Sequence, residues 1–142
     1  MSAVSARFSA GSRFRKSLLH RRLTKIIRGG LLIECNNFRL LIDPYISDCI
    51  QKLEGFRRLH PFPLPLADLK VDLLLICING KLNNMDSNEA LRYVQKSTPR
   101  TALPMHIGLF AENTADPQSF IEKCLAINVK SFAMTPGKEF AI

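Results

Sequence analysis

Apolar residues occur along this chain in short blocks separated by polar turns. The longest block is Val71-Asp72-Leu73-Leu74-Leu75-Ile76-Cys77-Ile78. Its near-continuous apolar character predicts a strand covered on both faces. Upstream, Leu31 to Cys35 and Phe38 to Asp43 flank Asn36-Asn37, a two-residue turn tolerant of positive φ. That arrangement predicts a β-hairpin, stopped at Pro44, which has no N–H for a ladder. Downstream the spacing becomes helical. Asp86 reads as an N-cap, and Glu89 completes a capping box ahead of Ala90, Leu91 and Val94, with Pro99 ending the helix. Thr101 to Met105 is the next strand. Asp116 with Pro117 opens a second helix whose expected inner face is Phe120, Ile121, Cys124 and Leu125, ending at Asn128. Val129 to Met134 reads as a last strand before Pro136-Gly137. From Val71 onward the order is β-α-β-α-β, which predicts mostly parallel pairing with right-handed crossovers. Tyr45 to Leu69 has no such pattern. Its His60-Pro61-Phe62-Pro63-Leu64-Pro65 favours an extended, polyproline-like path.

Length and composition narrow the class. A chain of 142 residues, 46% hydrophobic and 23% charged, is one globular domain by ordinary usage. No apolar run approaches the roughly 18 residues of a transmembrane helix. Cys35, Cys49, Cys77 and Cys124 are scattered without a CxxC pair, which favours buried small hydrophobes in a reducing compartment over a zinc or redox site. Charge is unevenly placed. Met1 to Ile33 holds eight basic residues and no acidic one, and the remainder holds 12 of each sign. The net +8 therefore lies in an N-terminal arm, residues 1–28, ahead of a neutral domain, residues 29–142. Three readings of the arm stand side by side: an organellar transit peptide, a disordered basic tail, or an arm that touches nucleic acid or anionic lipid. The first would make the protein mitochondrial and the others leave it cytoplasmic.

Candidate chemistry gathers after the central strand. Asn79-Gly80-Lys81-Leu82-Asn83-Asn84-Met85 is a loop able to adopt positive φ. Loops at the carboxyl ends of buried strands are where α/β proteins build sites. Asn79, Gly80, Asn83 and Asn84 are therefore pocket candidates, with plain turn chemistry as the alternative. His106, at the end of the next strand, would face the same rim. His60 with Arg57-Arg58 suits a phosphate contact or a solvated loop. Cys77 and Cys49 lack an identifiable base, which argues against a nucleophile.

These residues also resemble a known family. Gly30-Leu31-Leu32-Ile33-Glu34, followed by Leu40-Leu41-Ile42-Asp43-Pro44-Tyr45-Ile46-Ser47-Asp48, looks like the opening hairpin of the metallo-β-lactamase superfamily. The nearest branch is the L-ascorbate-6-phosphate lactonase-like one. Leu69 to Ile76 resembles the strand before that family's metal motif. Ile78 to Met85, Leu103 to Gly108 and Phe110 to Pro117 resemble the branch's C-terminal part. The resemblance implies a partial αββα-type fold, with an N-terminal β-hairpin plus a C-terminal β-α-β-α-β unit. It also implies metal-dependent hydrolysis of a small phosphorylated lactone or ester with a divalent ion, Mn or Zn.

One departure decides what this form can do. The family's His-x-His-x-Asp-His cluster follows the Val-Asp-Leu-Leu-Leu-Ile strand, whereas here Ile76 runs into Cys77-Ile78-Asn79-Gly80. The middle section is missing, and its flanks join within Val71 to Ile78. Of the family's metal ligands only the last histidine has a counterpart, His106; Asp43 matches the aspartate that borders the site. A catalytic ion needs about three protein ligands and an open position. The expectation is a truncated domain with no catalytic residue of its own and no bound cofactor in this form. The alternative function is a binding or regulatory remnant, with nucleic acid or a membrane surface as the weaker partners. The family's two halves pack sheet to sheet, so a half alone is expected to expose an apolar face that self-association or a partner chain would cover.

Overall fold

The computed structural model describes residues 21–25, 30–44, 70–80, 84–108 and 110–141. Five strands and two helices run in the order β1 (Arg21–Lys25), β2 (Leu31–Cys35), β3 (Phe38–Ile42), β4 (Leu73–Cys77), α1 (Ser87–Ser97), β5 (Thr101–Met105) and α2 (Pro117–Ala126). The strands form one mixed sheet in sequential order. β1, β2 and β3 are an antiparallel meander, and β4 and β5 continue it in parallel. The α/β class and the partial fold expected from the sequence are both present.

Local chemistry explains most elements. The β2–β3 hairpin turns at Asn36, which takes φ 55°, a value an asparagine tolerates better than a branched residue. Asp86 accepts hydrogen bonds from the Asn88 and Glu89 amides at 2.8 Å each, and Glu89 accepts from the Asp86 amide at 3.1 Å. The capping box is complete and uses amides the helix itself cannot satisfy. Asp116 caps α2, with Pro117 at its first position.

Both helices pack on one sheet face. Leu32, Leu41, Leu74 and Ala102 lie side by side across β2 to β5. With Ile76, Ala90, Val94, Phe120 and Cys124 they form the buried cluster. At the amino end of β4, Asp72 ties the sheet together. Its Oδ2 accepts the Arg39 amide at 2.8 Å, and its Oδ1 lies 3.4 Å from the Arg100 guanidinium.

Three expectations need correction. The basic arm does not stay outside the fold through residue 28, because Arg21–Lys25 pairs with β2 along its whole length. Backbone hydrogen bonding to an otherwise open β2 edge overrides the polar composition of that segment. The rest of the arm, the Tyr45 to Leu69 segment with His60, and Asn83 lie outside the described residues. The last strand is reduced to a single bridge between Thr101 and Lys130. Leu125, expected inside, is 53% exposed, because α2 presents only Phe120 and Cys124 to the core. On the second sheet face, Ile33-Leu40-Leu73 and Leu31-Ile42-Leu75-Leu103, Leu73 and Leu103 are buried and the other five side chains are partly exposed. No helix among the described residues is long and apolar enough to cross a membrane.

Candidate functional site

Parallel pairing of β3, β4 and β5 brings three strand ends to one rim. Asp43 follows β3 and His106 follows β5, one on each side of β4. The flanking strands are about 10 Å apart, two interstrand spacings, and the two side chains close that gap. His106 Nε2 lies 3.8 Å from Asp43 Oδ2. That is an ion-pair distance and too long for a hydrogen bond. The side chains are 50% and 37% exposed, so the pair sits at the surface.

Both residues hold left-handed backbone, φ 41° at Asp43 and φ 60° at His106. Such conformations cost free energy in residues other than glycine and concentrate at functional positions. Asp43 is fixed there by its amide, which donates to the Leu75 carbonyl at 2.8 Å. After His106, Gly108 takes φ 76°, and its amide donates to Thr114 Oγ1 at 2.8 Å. His106→Gly should raise stability by about 1 kcal/mol, because it relieves the backbone while giving up only an exposed pair. Chemical unfolding checks this, and a loss would mean that the contact outweighs the strain.

Behind the pair lies a polar network that the sequence only half revealed. Asn79 is buried at 4% exposure. The Cys77 thiol donates to Asn79 Oδ1 at 2.7 Å, and the Asn79 amide donates to Asn113 Oδ1. Burial pushes the Cys77 thiol pKa up; the Asn79 contact opposes that rise and the Asp43 charge adds to it. Gly80 takes φ 64° and approaches Asp86 so closely that an added Cβ would lie 3.1 Å from the Asp86 Cβ. Asn84 is exposed. Asn113 and Thr114 were missed by sequence reasoning. They lie within the Phe110 to Pro117 stretch, where no residue was singled out for a site, and the tertiary fold brings them to the rim.

A groove of about 350 Å³ lies elsewhere, lined by residues that include Val94, Thr98, Pro99, Ile127 and Val129. It is at the amino end of β5, opposite His106.

Whether this rim fits a metal can be tested on its donors. Ligands of one tetrahedral zinc sit about 3.3 Å apart, given bonds of about 2.0–2.1 Å. The Asp43–His106 separation is near that value. A catalytic ion needs about three protein ligands, and among the described residues no group of three His, Cys, Asp or Glu side chains could hold one. The described residues do not fit a catalytic metal.

No family model matches the chain. A UPF0173 protein of Pyrococcus furiosus is 36% identical over 78 residues, 55% of this chain and 29% of that protein. Among solved structures, Igni18, a metallo hydrolase from the hyperthermophilic archaeon Ignicoccus hospitalis, aligns with a TM-score of 0.56 at 20% identity, covering 97% of this chain and 61% of that one. A Zn-dependent hydrolase assigned to the metallo-β-lactamase superfamily, from Thermotoga maritima, aligns at a TM-score of 0.44 and 13% identity over 73% of this chain and 50% of that one. The last match is too loose to bear weight. The chain thus spans less than a third of the curated relative and under two thirds of the solved neighbour. Its mixed sheet with two helices on one face is a partial metallo-β-lactamase-like fold.

Proposed function

We propose that this chain is a hydrolase-type metallo-β-lactamase-fold protein whose metal site is reduced to one edge, and that it does not catalyse hydrolysis alone. The observation behind this is the Asp43–His106 pair at 3.8 Å, with no third donor near it among the described residues. A fold does not fix an activity; the site must carry it. Two side chains can orient a ligand or hold a proton, but they cannot complete an ion's coordination and leave a position open. The activity that a completed site would support is lactone or ester hydrolysis on a small phosphorylated substrate. The lactonase-like pattern of Asp43-Pro44 and Leu103 to Gly108 supports that choice. Completion would need donors beyond the described residues, and without them the chain acts as a binding or regulatory unit.

Elemental mass spectrometry on the purified chain, dialysed against manganese and zinc, tests this. The expected result is well under one ion per chain and no lactone hydrolysis. A stoichiometric ion that disappears in His106→Ala would overturn the reduced-site reading.

A further inference from the structure

The two edges of the sheet differ. β5's outer edge is covered at its amino end: the Ala102 amide donates to the Lys130 carbonyl at 2.9 Å, and the Lys130 amide donates to the Arg100 carbonyl at 3.1 Å. β1 pairs with β2 on one side, and no described strand pairs with its other side. A strand of five residues, about 16 Å long, then presents outward N–H and C=O groups at alternate positions. Three of those five residues, Arg21, Arg22 and Lys25, are basic. Leu23 between them is 69% exposed. Glu34 lies directly opposite Arg22 in the ladder, but it is held by the Arg39 guanidinium at 3.2 Å. The nearest acid in the sheet is therefore already shared.

We propose that the outer edge of β1 is a docking edge for an extended, acidic segment of a partner protein, which adds to the sheet as a further strand. Charge selects this occupant over a second copy. Antiparallel pairing of β1 with itself would place basic residues opposite basic residues, and like charges directly opposite oppose pairing. An acidic strand reverses that sign, and an apolar residue in it can cover Leu23. Main-chain bonds would supply the affinity and the flanking side chains the choice of partner. Nucleic acid or an anionic bilayer would use the same charges but could not extend the ladder.

The test uses the full chain and a fluorescein-labelled nonapeptide of alternating Glu and Val, read by fluorescence anisotropy. A control peptide keeps the charge but replaces alternate valines with proline, which removes the N–H groups needed for pairing. The expected result is saturable binding of the first peptide and at least about ten-fold weaker binding of the second, because only the first can pair. Arg22→Glu should weaken the first interaction by a similar factor while far-ultraviolet circular dichroism stays unchanged. Equal binding of the two peptides would overturn the proposal by reducing the effect to charge alone. So would no binding at all, or tighter binding to duplex DNA or phosphatidylserine vesicles than to the first peptide. The comparison is independent of metal content, so its failure would leave the reduced-site reading untouched.

Discussion

Phe120→Ala is expected to destabilise the chain by about 3–5 kcal/mol in urea unfolding, the largest single effect in the fold. Phe120 is fully buried, and it belongs to the cluster that joins α2 to α1 and to the β2–β5 face. Removing the ring forfeits its transfer free energy and leaves a cavity that packed neighbours refill only in part. Leu125→Ala, five residues further along the same helix, should cost less than about 1 kcal/mol, because that side chain is already 53% exposed. Far-ultraviolet circular dichroism during urea titration reads both. Equal losses at the two positions would mean that α2 does not seat on the sheet as described.

Alkaline pH should weaken the fold, chiefly through Cys124. Its thiol is fully buried, and burial raises its pKa from 9.0 to about 11, with a Ser131 contact acting in the opposite sense. The sign follows from linkage. Below the unfolded pKa both states are protonated, and the stabilising contribution is whole. Above it the unfolded thiol releases its proton while the folded one keeps it, so stability falls as pH rises toward the folded value. The window runs from 9.0 to about 11, and the full loss approaches about 3 kcal/mol once the pH passes the folded value, at about 1.4 kcal/mol per unit. Cys77 shifts in the same direction for the same leading reason, burial. Urea midpoints measured across that window should decline steeply in the parent and more shallowly in Cys124→Ala. Identical slopes would show that other groups carry the alkaline sensitivity.

Sequence legibility followed the range of the interaction. The hairpin at Asn36, the capping box at Asp86 and the Asp116-Pro117 helix start are decided within a few residues, and each was readable from its own chemistry. The apolar run around Leu74 likewise announced the central strand. Strand β1 was not readable. Arg21–Lys25 is polar and basic, and it becomes a strand because β2 offers it an edge. The burial of Asn79 was equally hidden, since its partner Asn113 lies 34 residues away. Leu125 looked internal by spacing, but the width of the buried stripe on α2 depends on what the helix packs against.

The candidate site divides in the same way. The sequence by itself determined that Asp43 and His106 end two strands, and that no histidine cluster follows Ile76. It also determined that the net positive charge lies in the N-terminal arm. Only the tertiary structure decided that those strands run parallel on either side of β4, so that the two side chains meet at 3.8 Å. Only it showed that both residues sit in left-handed backbone at that rim. The physical reason is that turns and caps are settled by local hydrogen bonds, whereas a site is settled by strand order and register, which depend on contacts between residues far apart in the chain.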